Sequence, residues 1–335
     1  MQIILDPAIL FFVVGVLAGS VKSNLEIPPA ISRFLSLYLL MALGLKGGFA
    51  LSRSGLTTDI GISLAAAISL AIFIPCVGYW FLRQFVSGFD AAAVAATYGS
   101  VSAVTFVTAV QYLENQNIQY GGHMAAAMAL MESPAIIMAV VLANTLRQHN
   151  LAPVQHSDVS KSTLTEHEAK QSVTMGKILH ESFTDGAQLL LLGAMFVGMV
   201  TGDSGKAAMQ PFSGDLFKGM LSFFLLDMGL TVARNIPQVL DKSPVLIAYA
   251  VVGPISHAGL ALALGSVLNM PAGDCALLMV LSASASYIAV PAVLRYAIPE
   301  ANPSLYFGLS LGITFPLNIL LGIPAYVNLS QSFLK

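Results

Sequence analysis

The stretch Thr97-Tyr98-Gly99-Ser100-Val101-Ser102-Ala103-Val104-Thr105 has a counterpart about 184 residues later, Ser282-Ala283-Ser284-Ala285-Ser286-Tyr287-Ile288-Ala289-Val290-Pro291, and each sits in the middle of an apolar run long enough to cross a bilayer. Gly favours non-helical backbone, Ser competes for helix hydrogen bonds and caps new helix starts, and Pro291 has no N–H. Both runs therefore carry the means to break a helix at mid-depth. In hydrocarbon such a break bares N–H and C=O groups, each costly unless protein, water or a ligand meets it, so a break is tolerated where it lines a site. The same small residues also permit close helix packing, and sequence alone leaves that alternative open.

Around these segments the chain is built for lipid: 56% of its 335 residues are hydrophobic and 10% charged, against about 25% charged in a soluble domain. Ten apolar spans are expected, at 5–21, 29–45, 60–83, 89–112, 122–146, 185–201, 215–232, 243–267, 273–297 and 304–329. Met1 to Pro7 lacks the basic region of a cleaved signal peptide, so the first span is expected to be retained. The one long hydrophilic segment, Arg147 to Asp185, divides the chain into a first repeat (1–147), a central loop (148–184) and a second repeat (185–335).

The two halves match in order. Gly15-Val16-Leu17-Ala18-Gly19 falls on Gly198-Met199-Val200-Thr201-Gly202, and Leu43-Gly44-Leu45 on Met228-Gly229-Leu230. Asp90 falls on Asp274, Ser100 on Ser284, Ser102 on Ser286, Tyr112 on Tyr296, and Pro134 on Pro316. With five spans each, the second repeat must enter from the opposite face. The expected fold is thus an all-α polytopic membrane protein of ten transmembrane helices in two inverted five-helix repeats, with helices four and nine broken and crossed.

The odd-numbered loops hold ten of the fifteen Lys and Arg: Lys22, Arg33, Arg83, Arg147, Lys161, Lys170, Lys177, Arg234, Lys242 and Arg295. The other side holds Lys46, Arg53, Lys206, Lys218 and Lys335. This places the central loop in the cytoplasm and both termini outside.

Several function classes drop out. A net charge of -2 with no basic stripe gives nucleic acid nothing to bind. Cys76 and Cys275 form neither a disulfide framework nor a metal-ligand spacing and read as ordinary packing. No Ser with a His at matching depth, no paired catalytic carboxylates and no metal cluster suggest an enzyme, and His123 and His257 are solitary, as structural histidines are.

A half-helix start offers free N–H donors and roughly half a positive charge, so two starts facing each other cradle a small anion without Lys or Arg. Gly99, Ser100, Val101, Ser284, Ala285 and Ser286 are the candidate anion-binding residues. Half-helix ends supply carbonyl oxygens suited to a hard cation such as sodium. Ser102, Thr105, Glu132, Asp227, Thr314 and Asn318, polar groups inside spans, are the candidate cation ligands or gating residues. Each also suits a bond to a neighbouring helix.

The strings F-D-A-A-A-V-A-A-T-Y-G-S-V-S-A-V-T-F (Phe89 to Phe106) and G-D-C-A-L-L-M-V-L-S-A-S-A-S-Y-I-A-V-P (Gly273 to Pro291), with the five-plus-five plan, resemble the SbtA family of cyanobacterial high-affinity sodium-dependent bicarbonate transporters. The resemblance covers nearly the whole chain. It implies sodium-coupled bicarbonate symport in the plasma membrane, serving a CO2-concentrating mechanism, with sodium as coupling ion and no other cofactor. It also implies a homotrimer, an elevator-like core holding spans four and nine, a scaffold including spans two and seven, and a PII-like regulator, SbtB, docking from the cytoplasm. The central loop is shorter than the family's. Physics alone suits acetate or nitrate equally, so the alternative is a sodium-coupled carrier of another small carboxylate-like anion on the fold of the bile-acid and auxin carriers.

Overall fold

The computed structural model describes residues 6–55, 57–151, 186–240 and 243–334, and all regular structure among them is helical. The helices are α1 (Pro7–Ser20), α2 (Pro29–Ser54), α3 (Thr58–Leu82), α4 (Gly88–Gly99), α5 (Ala103–Asn115), α6 (Met124–Leu151), α7 (Gly186–Met209), α8 (Phe217–Leu240), α9 (Pro244–Val267), α10 (Ala272–Ala283), α11 (Ala289–Ala297) and α12 (Pro303–Phe333). Seven stretches of these are long and apolar enough to cross a membrane, with α4 and α5 forming one and α7 and α8 another, and Pro7–Ser20 and Ala272–Ala283 are shorter apolar helices. The protein is a polytopic helical membrane protein. Of the expected central loop, 148–151 continue α6, and 152–184 lie outside the described residues.

Local chemistry sets the helix starts. Asp6 caps α1 by accepting from the Ala8 N–H at 2.8 Å, and Asn302 caps α12 by accepting from Ser304 at 3.0 Å, each followed by a Pro at the first helical position. Pro29 and Pro244 open α2 and α9 in the same way. The expected sixth span ends at 201, and α7 kinks at the next residue, Gly202, whose φ of 55° lies in the left-handed region that Gly enters without a Cβ penalty.

By their packing the helices fall into two groups, a frame and a core, which share one apolar cluster. In the frame, α1 packs along α8 and α2 along α7, with backbone against backbone. A Cβ on Gly15 would strike the Leu226 carbonyl, one on Gly229 the Phe12 carbonyl, one on Gly48 the Met195 carbonyl and one on Gly198 the Leu45 carbonyl. Outward, Phe34, Phe196, Val200 and Phe223 are exposed, as lipid-facing side chains are.

In the core, α4 is buried from Ala91 to Gly99 and α10 from Gly273 to Ala283. They lie behind α3 and α9, which expose Ile72, Phe73 and Trp80, and Val252, Ile255 and Leu260. Asp90 and Asp274 occupy the first turns of α4 and α10, where a carboxylate complements the helix dipole. Each also fastens a loop from the other half: Asp90 accepts from the Asn302 N–H at 2.7 Å, and Asp274 accepts from the Gly121 N–H.

Candidate ion-binding site at the helix breaks

The chain leaves helical geometry at both segments singled out in sequence. α4 stops at Gly99, Ser100 and Ser102 are extended, and α5 starts at Ala103. α10 stops at Ala283, Ser284 is extended, and α11 starts at Ala289.

Each break is satisfied by the other. The Ser102 N–H donates to Ser284 Oγ at 2.9 Å, and the Ser286 N–H donates to the Thr97 carbonyl at 2.9 Å. Ser102 then caps its own half-helix, accepting from the Thr105 N–H at 3.2 Å and from Thr105 Oγ1 at 2.9 Å. Ser286 accepts from the Val290 N–H at 3.3 Å. The first N–H groups of any helix have no acceptor within it, so those of Ala103, Val104 and Ala289 are available to a ligand, while Pro291 has none to offer.

Both helix starts open on one cavity of about 80 Å³, against the roughly 10–15 Å³ that a water needs. Val101 to Val104 and Ser286 to Ala289 line it from the breaks, Ser36 from α2, Glu132 from α6 and Leu191 from α7. Beside the crossing, Ser100 Oγ and Ser282 Oγ are buried without a hydrogen-bond partner. A hydroxyl so placed costs about 1–3 kcal/mol unless something meets it. The leading N–H groups of two helices, opening on one small cavity, suit a small anion.

A family model described as the Na+-dependent bicarbonate transporter superfamily matches residues 7–331. The chain belongs to this superfamily. A comparison with curated proteins found no match. Membership bears out the resemblance seen in sequence, makes the chain a membrane transporter and not an enzyme, and supplies sodium and bicarbonate as the ions to be set against the site.

The candidate residues differ in where the structure places them. Ser284 and Ser286 bind the two breaks together, Val101 lines the cavity, and Ser100 holds an unmet hydroxyl. Gly99 serves packing: a Cβ there would run into the Pro75 ring of α3. Ala285 is buried in the apolar cluster behind the site. Of the cation candidates, Ser102 and Glu132 line the cavity, and Thr105 is bonded to Ser102. Asn318 donates from Nδ2 to the Ala283 carbonyl at 2.7 Å, at the C-terminal end of α10, and its Oδ1 accepts from Tyr326 at 3.2 Å. The Thr314 hydroxyl donates to the Ala250 carbonyl and pairs with the Tyr98 hydroxyl, both at 2.7 Å. Asp227 stands apart from this group, in α8, where Ser32 bonds it and Arg234 supplies the nearby charge.

Two contributors lay outside the sequence candidates. The Thr97 carbonyl holds the opposite break, a backbone role with no side-chain signature. Ser36 reaches the cavity from a span without a break, so no local pattern marks it. His257 contacts the Ser282 backbone, and His123 Nε2 lies 3.7 Å from Asp274 Oδ2, both within the packed structure.

Proposed function

We propose that this protein imports bicarbonate by sodium-coupled symport, with the anion held at the paired N-termini of α5 and α11 and sodium among neighbouring oxygens of Ser102, Thr105, Glu132, Thr314 and Asn318. One observation carries the anion site: two helix starts from different halves of the chain open on one cavity, and no Lys or Arg is among its described lining residues. A site of this kind binds a small, flat anion through backbone dipoles and hydroxyls. Asp227 contributes to the frame.

The transport cycle we infer is alternating access, in which the core moves against the frame in an elevator-like way. It calls for ten spans in two inverted repeats, 1–147 and 185–335, about the loop 148–184. Packing supports that plan. Exchange of the halves turns the α1–α8 pair into the α7–α2 pair, and the α3–α4 pair into the α9–α10 pair. The Asp90–Asn302 and Asp274–Gly121 contacts exchange in the same way. We further propose, on the resemblance, a homotrimer in the plasma membrane with its central loop cytoplasmic and both termini outside, regulated there by a PII-like protein of the SbtB kind.

Uptake of labelled bicarbonate into proteoliposomes, with and without an inward sodium gradient, tests the reading. Accumulation should require sodium. With one sodium per bicarbonate, a tenfold gradient supports at most about tenfold accumulation, whereas a second sodium adds about 2.3 kcal/mol per 100 mV of membrane potential. Sodium-independent flux, or uptake of acetate or nitrate in place of bicarbonate, would overturn it.

A further inference from the structure

Frame and core meet along α2, α7 and α8, and the α2 part of that seam runs from the cavity to an ion pair. Ser36, beside the cavity, lies in the first half of α2, and Ala187 and Leu191 line the cavity from the first turns of α7. Both helices begin at the odd-numbered-loop end. Lys46 lies ten residues farther along α2 than Ser36, about 15 Å toward the even-numbered-loop end at 1.5 Å per residue. Its Nζ sits 3.0 and 2.9 Å from the two carboxylate oxygens of Glu114, the penultimate residue of α5, and 4.0 Å over the Phe217 ring of α8. A frame cation thus grips the end of a core half-helix that begins at the anion site.

The neighbourhood reinforces the grip. The Tyr120 hydroxyl donates to Glu114 Oε1 at 3.0 Å, and burial together with the Glu114 charge holds that phenol protonated well above its ordinary pKa. The next core residue, Asn115, donates from Nδ2 to Asp6 Oδ2 at 2.7 Å, and Lys218 of the frame lies 3.3 Å from the same carboxylate oxygen. Two successive residues at the end of α5 are therefore tied to α2 and to the cap of α1. Beside them a polar basin of about 630 Å³, walled by Lys46, Glu114, Lys206 and Lys218 among others, reaches the pair. At the odd-numbered-loop end, Arg147 bonds Glu300 and the Ala297 carbonyl inside the core, and Arg234 bonds the Leu25 carbonyl inside the frame.

We infer that the Lys46–Glu114 pair is a gate latch, closing the anion site from the even-numbered-loop side and opening each time the core moves. The inference rests on the alternating-access reading above. Both groups are only partly exposed, 18% and 32%, so separating them exchanges a two-oxygen contact for water in a half-dry seam. The latch then sets the ratio of the two facing states without touching the transported ions.

The test is labelling by a membrane-impermeant thiol reagent, in a chain with Cys76→Ala and Cys275→Ala and a reporter at Ala103→Cys in the cavity wall. Reagent is applied to one side of sealed vesicles, the even-numbered-loop side being that from which a cysteine at Gln116 reacts. Glu114→Gln and Lys46→Gln should each raise labelling from that side about fivefold. Lys46→Glu combined with Glu114→Lys should return it to the parent rate, and Lys46→Arg should keep it there. Single variants within twofold of the parent, a reversed pair as fast as the singles, or a fast Lys46→Arg would each overturn the latch. Labelling needs neither bicarbonate nor sodium, so failed bicarbonate uptake with this pattern intact would count against the substrate and leave the latch standing.

Discussion

The frame and the helix crossing are built from the same small residues with opposite results. In the frame, Gly15, Gly48, Gly198 and Gly229 let backbones touch, and α7 is kinked at Gly202. At the crossing the chain leaves helical geometry between Gly99 and Ala103 and between Ala283 and Ala289, the Ser102 N–H bonds Ser284 Oγ, and the buried Ser100 and Ser282 hydroxyls are unmet. The difference lies in what faces the small residue. Opposite a carbonyl on a continuous helix, Gly is a packing device; opposite another interruption, Ser becomes part of a ligand site.

That contrast makes the strongest prediction. Ser100→Leu or Ser284→Leu should lower bicarbonate uptake about a hundredfold or more while folded protein persists in the membrane, as judged by size-exclusion of the solubilised chain. Unchanged uptake would reduce the crossing to packing and erase the distinction. In the frame, Gly48→Leu drives a side chain into the Met195 carbonyl and should cost at least about 1–3 kcal/mol of stability, read as a lowered melting temperature in detergent. A variant as stable as the parent would show that the frame is looser than its geometry.

Asn318→Ala sharpens the crossing from within. It frees the Ala283 carbonyl at the end of α10 and should raise the sodium requirement for uptake about tenfold, with a much smaller change in the bicarbonate requirement. Equal shifts would take Asn318 out of the cation's surroundings. Glu300→Gln, remote from both regions, serves as the small-effect control at within about 1 kcal/mol. The Arg147 hydrogen bond holds the Glu300 carboxyl below its ordinary pKa, so the stabilisation is complete above the unfolded-state value and fades as pH falls through the lowered one. The Gln variant should lose that dependence in a melting series across acid pH.

Much of this was legible in one dimension because hydrocarbon is an unforgiving solvent. Apolar runs marked a helical chain with several membrane-capable stretches, and Gly-Ser clusters marked both breaks, since a break among apolar residues needs residues that tolerate it. The far ends of helices were less legible: α2 runs on to Ser54 past Lys46 and Arg53, because a long cationic side chain reaches a polar partner without ending the helix. Partner choice was less legible still. Glu132 and Asp227 looked alike as acids inside spans, yet one lines the cavity and the other is bonded by Ser32, a difference set by packing across distant segments. Gly99, within the broken segment, turned out to face Pro75.

The carboxylates that fasten loops across the halves bear on how the chain is made. Asp90 reaches Asn302 over a separation of 212 residues, and Gly121 reaches Asp274 over 153. At roughly 5–20 residues per second a ribosome spends about 10–40 s between making Asp90 and its partner. Throughout that interval the start of α4 stays unclasped, so this join between the two halves closes only once Asn302 has been made.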